Sequence, residues 1–193
     1  MRSNLILAGV GGQGILSIAT IVGYAALESG LQLKQSEVHG MSQRGGDVQS
    51  HLRISSKQIF SDLIPVGTAD IVASVEPMEA LRYLPFLSKK GWLITNTKPF
   101  INIPNYPEMD KIIAEIEKLP NHIMIDADGI AKDIGAPRAM NMIMLGAIST
   151  FIDIPYDKFQ EGIRFVFDRK GKEIVDINLK AMDKGREIAD KKI

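Results

Sequence analysis

A three-layer α/β fold, with helices on both sides of a mixed and partly parallel sheet, is predicted by three observations. A wholly apolar run at 5–8 leads into Gly9-Val10-Gly11-Gly12-Gln13-Gly14 and then into a helical repeat. Strand and helix patterns alternate over the first 130 residues. No repeat, low-complexity tract or linker interrupts the 193 residues, so a single domain over 1–193 is expected.

Each element has its own signal. Leu5-Ile6-Leu7-Ala8 reads as a strand buried on both faces. Ile15, Ile18, Ala19, Val22, Ala25 and Ala26 recur at helical spacing, and Gly30 marks the helix stop. Residues 31–36 read as a second strand, which gives a βαβ glycine-turn opening. Residues 37–46 hold three glycines and little periodicity, the mark of a polar loop. Val48, Ser50, Leu52 and Ile54 then alternate with Gln49, His51 and Arg53, as in a half-exposed strand. Further on, 69–75 predicts a strand, 77–87 a helix with proline in its first turn, and 92–95 a strand. Pro99, Pro104 and Pro107 require an extended connection over 99–107. A charged helix at 108–119, a strand at 122–126 and a short helix at 127–133 follow. Residues 137–152 predict an apolar helix, either core or interface. The region 153–193 carries 10 basic and 9 acidic residues, and Ile174, Ile177, Ala181, Met182 and Ile188 form a stripe on one or two surface helices.

Composition excludes several functions. Lys and Arg number 23 against 23 Asp and Glu, and a neutral chain lacks the positive field that nucleic-acid binding needs. There is no cysteine, which removes disulfides, thiol catalysis, cysteine zinc sites and iron–sulfur ligation by this chain. That absence fits a cytoplasmic setting. The first residues do not read as a signal peptide, and no apolar run is long enough to span a membrane.

The chemistry is concentrated in two loops. G-x-G-x-x-G between a strand and a helix lets backbone amides approach a phosphate at the helix's positive end, or simply makes a tight turn. A dinucleotide reading wants an acidic residue after the second strand, and Glu37 stands near that place. In the second loop, Arg44 next to Gly45-Gly46 suits bidentate contact with a phosphate or carboxylate. Glu37, His39 and His51 are metal-ligating types, but no fourth ligand is evident and no metal site is expected. His122 reads as a boundary residue, and Asp126 and Asp128 as helix caps. No nucleophile elbow, Walker lysine or paired carboxylates occur. These features leave open a free-standing NAD- or flavin-binding oxidoreductase, a module for another phosphorylated metabolite, or a subunit that positions a phosphorylated ligand for chemistry on another chain.

The strings Leu7-Ala8-Gly9-Val10-Gly11-Gly12-Gln13-Gly14-Ile15-Leu16 and Ser36-Glu37-Val38-His39-Gly40-Met41-Ser42-Gln43-Arg44-Gly45-Gly46 resemble the gamma-type domain of the 2-oxoacid:ferredoxin oxidoreductases. The second string points within that family to the indolepyruvate branch and its small (beta, gamma-type) subunit. The resemblance runs over essentially the full length, although the C-terminal half adds little discrimination. It implies oxidative decarboxylation of an aryl 2-oxoacid to an acyl-coenzyme A, with electrons passed to ferredoxin. It implies a large alpha subunit that carries thiamine diphosphate, magnesium and [4Fe-4S] clusters, so this chain holds no cofactor of its own and is inactive alone. Coenzyme A, as substrate, is then expected at Gly11, Gly12, Gln13, Gly14, Arg44, Gly45 and Gly46, with Glu37, His39, Ser42 and Gln43 in the adjoining cleft.

Overall fold

In a computed structural model, residues 1–40 and 45–192 are described. Six strands form one sheet in the order β2-β3-β1-β4-β5-β6: β1 (Arg2–Val10), β2 (Gln32–His39), β3 (Asp47–Ser55), β4 (Ala69–Ser74), β5 (Leu87–Asn96) and β6 (His122–Ile125). β1, β4, β5 and β6 pair in parallel. β3 runs antiparallel to both β1 and β2.

The glycine-turn helix α1 (Ile15–Glu28) links β1 to β2 as expected, and the two strands share one direction. They are not neighbours, because β3 lies between them. Gly30 ends α1 at φ +70°, where the Leu31 and Gly30 amides donate to the Ala26 and Leu27 carbonyls.

The strand pleat divides the core in two. Leu5 and Leu7 on β1 join Leu52, Ile54, Ile71, Ile94 and Ile123 beneath α1 and the C-terminal helices. Ile6 and Ala8 face the other way, with Val72 and Leu93, under α2 (Pro77–Arg82) and α3 (Met109–Glu117). Each fully buried leucine or isoleucine contributes about 1.5–3 kcal/mol, so β1, enclosed on both faces, anchors the sheet.

Several boundaries move. β2 continues through His39, so Glu37, Val38 and His39 belong to a strand rather than the polar loop. The helix expected over 77–87 ends at Arg82, and a 3₁₀ turn, Leu84–Phe86, leads into β5. β5 itself extends well ahead of 92. Asp126 caps α4 (Ala127–Asp133), its carboxylate accepting the Gly129 amide. Asp128 is no cap; it accepts from Asn96 and pairs with Lys98.

The helix expected over 137–152 shortens to α5 (Met140–Ser149), and Met142 through Ser149 are all buried within this chain. α5 is therefore core. It crosses α7 (Lys172–Asp190), which follows α6 (Tyr156–Phe167). A Cβ on Gly146 would stand 1.9 Å from the Met182 carbonyl oxygen, and one on Gly185 1.8 Å from that of Ile143, so glycine permits backbone-to-backbone contact. The buried stripe of α7 is Val175, Asn178, Ala181, Met182, Gly185 and Ala189. Ile174, expected in that stripe, is exposed.

Candidate functional site

The two loops meet at the carboxyl end of β1. This is the switch point of the sheet, where α1 leads to one side and β4 lies on the other; open α/β sheets bind their ligands at such points. Gly9 and Val10 are still strand, and the turn proper is Gly11 to Gly14. Gly12 (φ +101°) and Gly14 (φ +82°) take backbone conformations that other residues avoid. Gly14 is constrained twice: a Cβ there would lie 2.4 Å from Asn141 Nδ2, which donates to the Gly14 carbonyl at 3.2 Å.

Gln13 is committed to the protein rather than to the cleft. Its Oε1 accepts the Val10 amide at 2.8 Å, and its Nε2 donates to the Val75 carbonyl at 3.4 Å. The side chain staples the turn between β1 and β4, and the Gln13 amide donates to the Val10 carbonyl at 3.2 Å, so neither is left for a ligand.

The backbone amides of Gly12, Gly14, Ile15 and Leu16 have no protein acceptor among the described residues. No acidic residue occupies the first turn of α1, and Gly14 brings no capping side chain. The partial positive charge of the helix end is therefore uncompensated by α1 itself, an electrostatic setting that favours negative charge.

The second loop is tied directly to the first. The Gly11 amide donates to the Gly46 carbonyl at 2.9 Å, and the Gly40 amide donates to Asp47 at 2.8 Å to close the β2–β3 hairpin. Asp47 accepts the Tyr83 hydroxyl at 2.7 Å, and Asn102 Nδ2 donates to the Gly45 carbonyl at 2.6 Å. Burial and the Asp47 carboxylate push the Tyr83 hydroxyl well above the ordinary tyrosine range, so it stays a donor. Ser42, Gln43 and Arg44 lie outside the described residues.

Two grooves flank the turn and share Gly12. One, of about 530 Å³, is mostly apolar, lined by Val10, Ile15, Leu16 and Val48 together with His39. Glu37 and His39 lie two apart on β2, project to the same face and bond to each other. The other groove, of about 480 Å³, sets Lys98, Arg138, Asn141 and Asp128 among Pro99, Phe100, Pro137 and Met140. Neither Lys98, Arg138 nor Asn141 belongs to a sequence motif; the ends of β5 and α5 bring them here.

The geometry separates other groups expected to act together. His51 sits opposite Ser36 in the β2–β3 register, so it projects to the sheet face away from Glu37 and His39. Its Nδ1 accepts the Ile64 amide at 3.1 Å, and burial holds the ring below the usual imidazole value. Among the described residues, no group of three or more His, Cys, Asp or Glu is placed to hold a metal ion. Glu37 lines neither groove, and its carboxylate is bonded to Gln35 and His39 instead. The inserted β3 puts β2 two strand spacings from β1, about 9.5 Å. His122 ends a structural contact, its Nδ1 bonded to the Leu119 carbonyl.

No helix among the described residues is long and apolar enough to cross a membrane. The model of the pyruvate ferredoxin/flavodoxin oxidoreductase family matches residues 4–188. The indolepyruvate oxidoreductase subunit IorB of Archaeoglobus fulgidus is 40% identical, over 96% of this chain and 94% of its own length. That of Pyrococcus horikoshii is 36% identical, over 94% and 93%. In structure, the chain is similar to a 2-oxoglutarate:ferredoxin oxidoreductase from Magnetococcus marinus solved with 2-oxoglutarate, coenzyme A and succinyl-CoA. The TM-score is 0.79 at 22% identity, covering 98% of this chain and 31% of that one.

Proposed function

Because this chain belongs to the pyruvate ferredoxin/flavodoxin oxidoreductase family, we propose that it is the small subunit of an aryl-pyruvate (indolepyruvate):ferredoxin oxidoreductase and binds coenzyme A at the Gly11–Gly14 turn. The overall conversion takes a 2-oxoacid, coenzyme A and two oxidised ferredoxins to an acyl-coenzyme A, carbon dioxide, a proton and two reduced ferredoxins. Thiamine diphosphate, magnesium and [4Fe-4S] clusters on a large alpha subunit supply the decarboxylation and the electron path. A chain without cysteine has no thiolates for the clusters, which is why they are assigned to the partner.

The observation that carries the coenzyme A assignment is the set of open amides at Gly12, Gly14, Ile15 and Leu16 on an uncompensated helix end. Phosphate oxygens accept such amides at little reorganisation cost. The apolar groove beside them suits the pantetheine arm, and Lys98 and Arg138 in the other groove suit additional anionic oxygens. Arg44 is assigned to the same phosphates. Glu37, His39, Ser42 and Gln43 are assigned to the cleft toward the partner, and the cytoplasm is the proposed compartment.

Co-expression with the cognate large chain tests the reading. The two chains copurify, indolepyruvate-dependent ferredoxin reduction requires both, and coenzyme A binds the complex. Arg44→Ala raises the coenzyme A KM by roughly tenfold or more, as expected for a charge-assisted contact. Failure to form the complex, or restored electron transfer without this chain, overturns the assignment.

A further inference from the structure

Glu76 has no role in the reading above, yet its place is costly. It is fully enclosed at 0% exposure, and among the described residues no lysine, arginine or histidine pairs with it. Three neutral donors satisfy its carboxylate instead: the Glu79 amide at 2.9 Å, the Phe100 amide at 3.2 Å and the Tyr106 hydroxyl. A buried carboxylate persists only when such donors replace water. The Glu79 bond caps α2. The Phe100 bond lies off α2, while the Tyr106 hydroxyl oxygen also takes the backbone amide of Met78 in α2.

Phe100 and Tyr106 belong to the proline-rich connection between β5 and α3. Beyond a local turn at 104–105, residues 98–107 make no backbone–backbone hydrogen bond to other segments among the described residues, and Pro99, Pro104 and Pro107 have no amide to offer. Side-chain anchors must therefore place this strap. Two of them end on the single Glu76 carboxylate, on either side of Asn102. Asn102 in turn reaches the Gly45 carbonyl, and the next residue, Gly46, accepts the Gly11 amide of the turn. The path from Glu76 to the glycine turn is continuous.

We infer that Glu76 is a positioning residue: by fixing the strap at Phe100 and Tyr106 it sets Asn102 against Gly45, and so holds the Gly45-Gly46 end of the second loop on the coenzyme A-binding turn. The inference rests on the proposed function only for the identity of the ligand. It gives a buried carboxylate at the end of β4 control over affinity at the end of β1, with no contact to the ligand itself.

The test uses Asn102→Ala, which leaves α2 untouched, and Tyr106→Phe, which keeps the Glu76–Glu79 cap but removes the contact with the Met78 amide, with Glu76→Gln as a third variant. Amide exchange of Gly11 in the full chain and the coenzyme A KM of the assembled complex are the readouts. Both change about three- to tenfold in Asn102→Ala, the worth of one hydrogen bond, while kcat stays the same. Tyr106→Phe moves both in the same direction. Wild-type Gly11 exchange and wild-type KM in both variants overturn the inference. Faster Gly11 exchange in a complex that shows no coenzyme A dependence supports the positioning role and sinks the coenzyme A assignment instead.

Discussion

At the α5–α7 crossing, a Cβ on Gly185 would stand 1.8 Å from a carbonyl oxygen on the facing helix, in backbone that any residue adopts. At Gly12 the opposite holds: a Cβ would meet nothing within 4 Å, but φ is +101°. The first glycine is chosen for space and the second for conformation. The first lets two helices seal a core, and the second leaves backbone amides bare beside a groove. Strain without crowding thus separates Gly12 from the packing glycine Gly185, whereas Gly14 in the same turn carries both.

Substitution separates the two. Gly185→Ala forces the helices apart and costs about 3 kcal/mol or more, near the upper end of overpacking effects. The melting temperature then falls by roughly 6–12 °C for a chain of this size, measured by thermal denaturation. A melting temperature within a degree or two of wild type would show that the crossing relaxes freely. Gly12→Ala costs only about 1–2 kcal/mol through its left-handed backbone. Its coenzyme A affinity in the assembled enzyme drops by roughly tenfold or more, because the methyl group occupies the approach to the open amides. Equal losses of stability and affinity in both variants would erase the distinction.

A smaller effect tests whether the non-site face is inert. The His51 ring is held below its ordinary value of 6.5 by burial, against the opposing pull of Asp62. As pH falls through about 6.5, the unfolded chain takes up this proton before the folded one, so stability declines with acidification and is fully present above that pH. His51→Asn keeps an acceptor for the Ile64 amide but does not titrate. The wild-type melting temperature falls between pH 7.5 and 5.5, and that of the variant falls less. Parallel curves would remove His51 as a cause.

The strand–turn–helix opening was legible because its signals are local: four apolar residues, a glycine cluster and a helical repeat. The mixed, three-layer α/β class followed from the alternation of elements. The insertion of β3 was not legible, since pairing Arg2 with Ser55 is settled by the sheet and not by either segment. The same holds for the site. Gly12 and Gly14 announce themselves through a motif, whereas Asn102, Asn141 and Glu76 sit in segments whose sequence says only proline-rich connection, apolar helix and helix start. Gln13 shows the converse, a motif residue whose side chain serves the turn itself.

The place of β3 bears on how the first strands of the chain are joined. β1 and β2 precede β3 in the chain and share one direction, with a gap one strand wide between them. Asp47–Ser55 fills it and pairs with both. β2 therefore joins the sheet only through β3, and the Gly11–Gly46 bond seats the glycine turn on the strand that carries the second loop.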